Sequence, residues 1–146
     1  MLAVFASGTG TTLQTLMDCQ EQYNYQVSLV VVNRACLAQE RAEKEGVKTL
    51  LSKDWEEIDQ TLTQQHIQLI VLAGFLAIIP QWFCEKWDKK IINIHPQRLC
   101  IYGIQRVLCV NKRSFSAELL NLCRNVERNS RLTGGFRTVN FNDSAT

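Results

Sequence analysis

Apolar residues along this chain fall into short, nearly continuous runs, separated by stretches in which they recur every three or four positions. Leu2 to Ala6, Val27 to Val32, Gln68 to Ala73 and Lys90 to Ile94 are the runs. A strand with one wet face alternates apolar and polar residues, so runs without alternation predict strands covered on both faces of a parallel sheet. Val27-Ser28-Leu29-Val30-Val31-Val32, the most β-branched of them, should be central. A shorter third strand is expected at Val47 to Leu51, behind Gly46, which closes a charged helix over Ala35 to Glu45. Further helices fit Leu13 to Cys19, where Leu13, Leu16 and Met17 share a face, Asp54 to Gln65, and Gln81 to Trp87. Alternation of strand and helix predicts an α/β fold, a Rossmann-like doubly wound parallel sheet with right-handed crossovers.

The joint between the first strand and the first helix is Ser7-Gly8-Thr9-Gly10-Thr11-Thr12. Gly8 and Gly10 are free to take positive φ and let a ligand approach the backbone. Thr9, Thr11 and Thr12 are candidate caps and hydroxyl donors, and a helix N-terminus favours an anion, a phosphate in particular. A phosphate-gripping P-loop needs a Lys directly after its second glycine, and no Lys occurs before residue 44. A dinucleotide fingerprint needs a small residue at Leu13 and an acid where Asn33-Arg34 stands, which leaves NAD as the weaker alternative. Taken alone, Gly-x-Gly serves equally well as a plain turn. After the fourth strand, Gly74-Phe75 leads into the apolar loop Leu76 to Pro80, which is either a wall for a flat organic ligand or simply core. The fifth strand ends in Asn93-Ile94-His95-Pro96, and residues two apart on a strand share a side, so Asn93 and His95 can address one atom as oxyanion donor and acid–base group. Ligands of doubly wound sheets sit beyond the carboxyl ends of the strands, which gathers the segments 7–12, 74–79 and 93–96.

At 146 residues and 46% hydrophobic composition, the chain is sized for one core. Its six cysteines include no Cys-x-x-Cys pair, and only His66 and His95 could complete a metal site, so reduced thiols and no metal are expected. The longest apolar stretch, Leu69 to Pro80, is too short to cross a bilayer and no signal peptide is evident; the expected protein is soluble and cytoplasmic, with no membrane partner. Charge changes what the carboxyl-terminal third suggests. Residues 1–96 carry eight Lys/Arg against eleven Asp/Glu, residues 97–146 eight against three, seven of the latter eight being Arg. Such a tail either binds nucleic acid or marks a change of reading frame.

Three stretches, Ser7-Gly8-Thr9-Gly10-Thr11-Thr12-Leu13-Gln14, Val71-Leu72-Ala73-Gly74-Phe75-Leu76 and Ile92-Asn93-Ile94-His95-Pro96, resemble the phosphoribosylglycinamide formyltransferases in order and spacing. The resemblance covers the first two thirds of the chain. It implies a transferase of purine biosynthesis and one-carbon metabolism, moving a formyl group from 10-formyltetrahydrofolate to glycinamide ribonucleotide. Ser7, Gly8, Thr9, Gly10, Thr11 and Thr12 would hold the substrate phosphate, with Thr11-Thr12 in place of the commoner Ser-Asn. Phe75, Leu76, Ala77, Ile78, Ile79 and Asn93 would line the folate pocket, Ala77 standing where Arg is usual. Asn93 and His95 would be catalytic, stabilising the tetrahedral intermediate as the amine attacks, with His95 as proton donor.

After Pro96 the resemblance stops: the family continues Ser-Leu-Leu-Pro, this chain Gln97-Arg98-Leu99-Cys100. The expected organisation is therefore a formyltransferase-like α/β domain over residues 1–96, incomplete at its carboxyl end, and a divergent basic tail over 97–146. A shifted reading frame accounts for the tail better than an RNA-binding patch, so no nucleic-acid partner is expected. Asn140 stands where the family's later motif has a His, no Asp is assigned as the partner of His95, and Asp143 is read as a tail residue. Slow transfer and an exposed fifth strand would follow, with a short helix the only element expected in the tail, over Ser116 to Val126. The rival functions are hydrolysis of formyltetrahydrofolate and a non-catalytic nucleotide-binding module.

Overall fold

The computed structural model describes residues 1–94 and the strand at 108–110. Six strands, β1 (Leu2–Ala6), β2 (Val27–Val32), β3 (Lys48–Leu51), β4 (Leu69–Ala73), β5 (Ile91–Ile94) and β6 (Leu108–Val110), form one sheet in the order β3-β2-β1-β4-β5-β6. Every neighbouring pair is parallel. The connecting helices are α1 (Thr11–Asp18), α2 (Gln20–Tyr23), α3 (Leu37–Lys44), α4 (Trp55–Gln64) and α5 (Gln81–Lys86).

Side chains alternate across the sheet, and both faces are apolar because both are covered. Val4 and Ala6 of β1 pack with Val30, Val71 and Ile92 against Leu13, Leu16, Ala38 and Ala42 of α1 and α3. Ala3 and Phe5 face the other way and pack with Leu29, Val31, Ile70, Leu72 and Ile91 against Ile58, Leu62 and Phe83 of α4 and α5. β1 and β4 are wholly buried, which is why neither shows a polar position. Phe5, Phe75, Trp55 and Phe83 form an aromatic cluster on the second face, with Phe5 and Phe75 edge to face at 5.3 Å.

Three local expectations are corrected. No threonine caps α1: the cap is Gly10, left-handed at φ 73°, and no side chain bonds the free N–H groups there. Gly8 is not among the residues at positive φ. β5 is no edge strand, because β6 pairs with it from Ile92↔Leu108 to Ile94↔Val110, inside the segment expected to be divergent. The turn of helix α2, ended by Asn24 at φ 54°, had no periodic signal in four residues. The expected helix over 116–126 lies outside the described residues.

The strand order places the site. From β1 the chain steps to β2 and β3 on one side, then crosses to β4 and β5 on the other. The loops that leave β1 and β4 therefore run to opposite faces at the carboxyl edge of the sheet, and the place between them is where a doubly wound sheet forms its ligand crevice.

Candidate functional site

The first wall of the crevice is the loop 7–10, held almost entirely through its carbonyls. Arg34 Nε donates to the Ser7 carbonyl at 2.7 Å, the Ala38 N–H to the Gly8 carbonyl at 3.1 Å, Arg41 Nε to the Thr9 carbonyl at 2.8 Å, and the Gln14 N–H to the Gly10 carbonyl at 2.8 Å. In a trans peptide the N–H points opposite to the carbonyl, and the described chain has no cis bond. The N–H groups of Gly8, Thr9, Gly10 and Thr11 are consequently aimed away from the donors that pin the loop. With the uncapped N-terminus of α1 and two guanidinium groups beside it, this arrangement is chemically suited to an anion. Thr9 and Thr11 are exposed and Thr12 is half-buried, so their hydroxyls are reachable.

Gly10 has a different reason for being glycine. A Cβ there would lie 2.6 Å from the Ala38 Cα and 2.9 Å from its Cβ. At Gly8 a Cβ would meet nothing within 4 Å, which leaves that backbone open to a ligand.

Ser7 departs most from the expected contact role. It is fully buried. Its hydroxyl donates to Asn33 Oδ1 at 2.7 Å and accepts the Leu76 N–H at 2.9 Å. Asn33 follows β2 directly, and Leu76 lies three residues beyond β4. Ser7 thus joins the two walls instead of facing the crevice.

The second wall divides along its sequence. Phe75 is half-buried in the aromatic cluster and Ile79 is 2% exposed in the core, whereas Leu76 and Ile78 are 73% and 72% exposed. The loop is part core and part surface: Phe75 and Ile79 anchor it, Leu76 and Ile78 present apolar surface, and Ala77 lies half-buried between them. Exposed aliphatic side chains beside a crevice are the surface a flat aromatic ligand covers.

Asn93 lies level with Leu72 and, through it, with Phe5, one residue before the end of β5. It is one of few buried polar residues on the sheet, 8% exposed. His95 and Pro96 lie outside the described residues. His66 is at the turn into β4, at φ 54°, at the opposite end of the strands from the crevice. Also at that amino-terminal end is an open recess of about 980 Å³, bordered by Met1, Gln20, Val27, Gly46, Lys48 and Gln65, and none of the expected site residues borders it. Among the described residues no group of three or more His, Cys, Asp or Glu is arranged to hold a metal ion.

Asn33, Arg34 and Arg41 are the residues sequence reasoning missed. The one signal was Asn33-Arg34 at the end of β2, where a dinucleotide site would carry an acid. Together these features define a doubly wound α/β protein whose Gly-rich loop after β1 and apolar loop after β4 meet at the switch point. Residues 1–107 match the family model described as formyl transferase, and the chain belongs to that family. The match runs past Pro96, where the motif resemblance stopped.

Relatives agree in kind. The chain is 37% identical over 110 residues to the human trifunctional purine biosynthetic protein adenosine-3, covering 67% of this chain and 11% of that protein. It is 30% identical to the chloroplastic phosphoribosylglycinamide formyltransferase of Arabidopsis thaliana, covering 70% and 39% of the two chains. The crystal structure of phosphoribosylglycinamide formyltransferase from Anaplasma phagocytophilum superposes with a TM-score of 0.64 at 33% identity, covering 68% of this chain and 51% of that one. This chain thus spans about a tenth of the human relative's length and about half of the bacterial one.

Proposed function

We propose that this chain binds glycinamide ribonucleotide and 10-formyltetrahydrofolate in the crevice between the loops that leave β1 and β4, and transfers the formyl group to the nucleotide's amine. The observation that carries the reading is the loop 7–10, whose four carbonyls are held by protein donors so that its N–H groups face away as an anion cradle. Its neighbour across the switch point supplies Leu76 and Ile78 as apolar surface for the pteridine. In the proposed reaction the amine nitrogen bonds to the formyl carbon while the bond from that carbon to N10 of the folate breaks. The proton lost by the amine ends on N10, passed by His95. The Asn93 amide donates to the formyl oxygen as it becomes an oxyanion. Gly8, Thr9, Gly10, Thr11 and Thr12 hold the phosphate in this reading, with Ser7 holding the loop. Because the residues after Pro96 depart from the family's motif, transfer is slow. No metal takes part, and Cys19, Cys36 and Cys84, none of them in a disulfide, suit a reducing, cytoplasmic setting.

The Asn93-Ile94-His95-Pro96 signature favours transfer to an amine over hydrolysis. Among the described residues no helix is long and apolar enough to cross a membrane. The test is production of tetrahydrofolate by the full chain with both substrates. Dependence on glycinamide ribonucleotide and a fall in kcat of about 100-fold or more in Asn93→Ala are expected. Folate turnover at the same rate without the nucleotide would turn the assignment to hydrolysis.

A further inference from the structure

The Ser7 hydroxyl carries one hydrogen and can accept two bonds. Its hydrogen is committed to Asn33 Oδ1 at 2.7 Å, which turns a lone pair towards the Leu76 N–H at 2.9 Å. The three partners come from the carboxyl ends of β2, β1 and β4, which are adjacent in the sheet. Ser7 is fully buried, so water does not take over either bond when one is lost. The Ser7 carbonyl is held independently by Arg34 at 2.7 Å, so the residue has little freedom to move except as part of the loop.

We propose that Asn33, Ser7 and the Leu76 N–H form a buried latch that couples the two loops, so that a ligand on the anion loop sets the affinity of the apolar loop and the reverse. The coupling rests on the two-ligand reading above; the latch itself rests on geometry alone. A ligand that draws the Gly8 N–H towards itself moves Ser7 through one rigid peptide unit, and the Leu76 N–H must follow or lose its acceptor. Leu76 carries one of the two exposed side chains on the apolar wall, so its backbone position sets the shape of that wall. Asn33 acts only through Ser7, as a positioning residue that orients the hydroxyl. Linkage requires the effect to be equal in both directions, and one net hydrogen bond sets its scale at about fivefold.

The test uses the full chain and a pair of ligands that cannot react, tetrahydrofolate and glycinamide ribonucleotide. Calorimetric titration of each, with and without the other at saturation, gives the coupling ratio, and amide exchange by NMR gives the protection of the Leu76 N–H. The wild type is expected to show about fivefold mutual tightening. Ser7→Ala and Asn33→Ala should bring the ratio to about one and speed Leu76 exchange about tenfold or more, while Asn33→Asp, which keeps an acceptor oxygen, retains both. A purely structural role for Ser7 would lower stability and leave the ratio intact. Undiminished coupling in Ser7→Ala, or unchanged Leu76 exchange in it, overturns the proposal. Wild-type protein that binds neither ligand overturns the two-ligand reading instead, and Leu76 exchange then decides the latch by itself.

Discussion

Alanine at Gly10 and alanine at Gly8 should fail in different ways, although the residues are two apart in one loop. At Gly10 the backbone sits at φ 73°, where an L-residue costs about 1 to 2 kcal/mol. The added Cβ would also stand 2.6 Å from the Ala38 Cα and 3.2 Å from the Arg41 Cδ. Arg41 can swing aside, but the Ala38 contact is backbone within α3, so relief requires α1 and α3 to separate; overpacking of this kind costs about 1 to 3 kcal/mol. Together the two terms come to about 2 to 5 kcal/mol, a large part of the roughly 5 to 15 kcal/mol available to a small domain. At a urea slope of about 1 to 3 kcal/mol per molar, the unfolding midpoint should fall by about 0.7 M or more. Gly8→Ala meets no atom within 4 Å and should stay within about 1 kcal/mol of the wild type. Its methyl group instead occupies the approach to the loop, and the affinity for glycinamide ribonucleotide should drop about tenfold, roughly 1.4 kcal/mol. A Gly10→Ala protein within about 0.5 kcal/mol of the wild type would refute the close-approach argument. An equal loss of stability at both positions would refute the division of roles.

Asp59, 7% exposed, accepts the Trp87 indole N–H at 2.9 Å and pairs with Lys86, tying α4 to the end of α5. Asp59→Ala leaves that buried N–H unpaired and should cost about 1 to 3 kcal/mol in urea unfolding, whereas Lys86→Ala, whose side chain is half exposed, should cost under about 1 kcal/mol; equal effects would locate the tie in the ion pair. The Asp54 carboxyl caps α4, accepting the Glu56 N–H at 2.9 Å. A side-chain hydrogen bond with Glu56 and the backbone N–H groups of Glu57 and Glu56 hold its pKa below the ordinary value. A lowered folded-state pKa means the cap stabilises at neutral pH and is lost as pH falls through and below about 4. Asp54→Asn should therefore flatten the acid side of the stability profile, and an unchanged profile would count against the cap as its source.

The central strands were legible because burial on both faces removes every polar position from β1 and β4 and leaves only Ser28 in β2, which spans Val27–Val32 as the sequence marked it. Helix ends were read up to two residues off, the start of α3 among them, since α3 begins at Leu37 where Cys36 takes an extended φ of −160°, and no sequence signal marks that turn. Three threonines look like caps in isolation. Gly10 takes the position because α3, some 28 residues further on, leaves no room there for a Cβ, and that contact is invisible to local pattern. The apolar loop shows the same limit, for Ile78 and Ile79 are chemically identical and only the path of the loop over the aromatic cluster decides that one is exposed and the other core. The three residues of β6 carry too short a pattern to be read from sequence.

The Gly-x-Gly turn is ambiguous in sequence because its glycines serve either a tight turn or an approaching ligand, and both produce the same letters. What separates the two uses is the fate of the loop's carbonyls. A plain turn closes on its own groups, whereas here three of four carbonyls are taken by residues 34, 38 and 41, which belong to the segment after β2. Two of those donors are arginines, which bring positive charge to the loop's rear while fixing its peptides. Because each peptide is trans, fixing a carbonyl inward fixes the next N–H outward, so in the proposed phosphate site the specificity for an anion would reside as much in Arg34 and Arg41 as in the glycines. Arg41→Ala should therefore weaken nucleotide binding without removing any group that touches the phosphate, and salt should weaken it further in the wild type than in the variant. Equal salt dependence in the two proteins would place the loop's selectivity in its peptides alone.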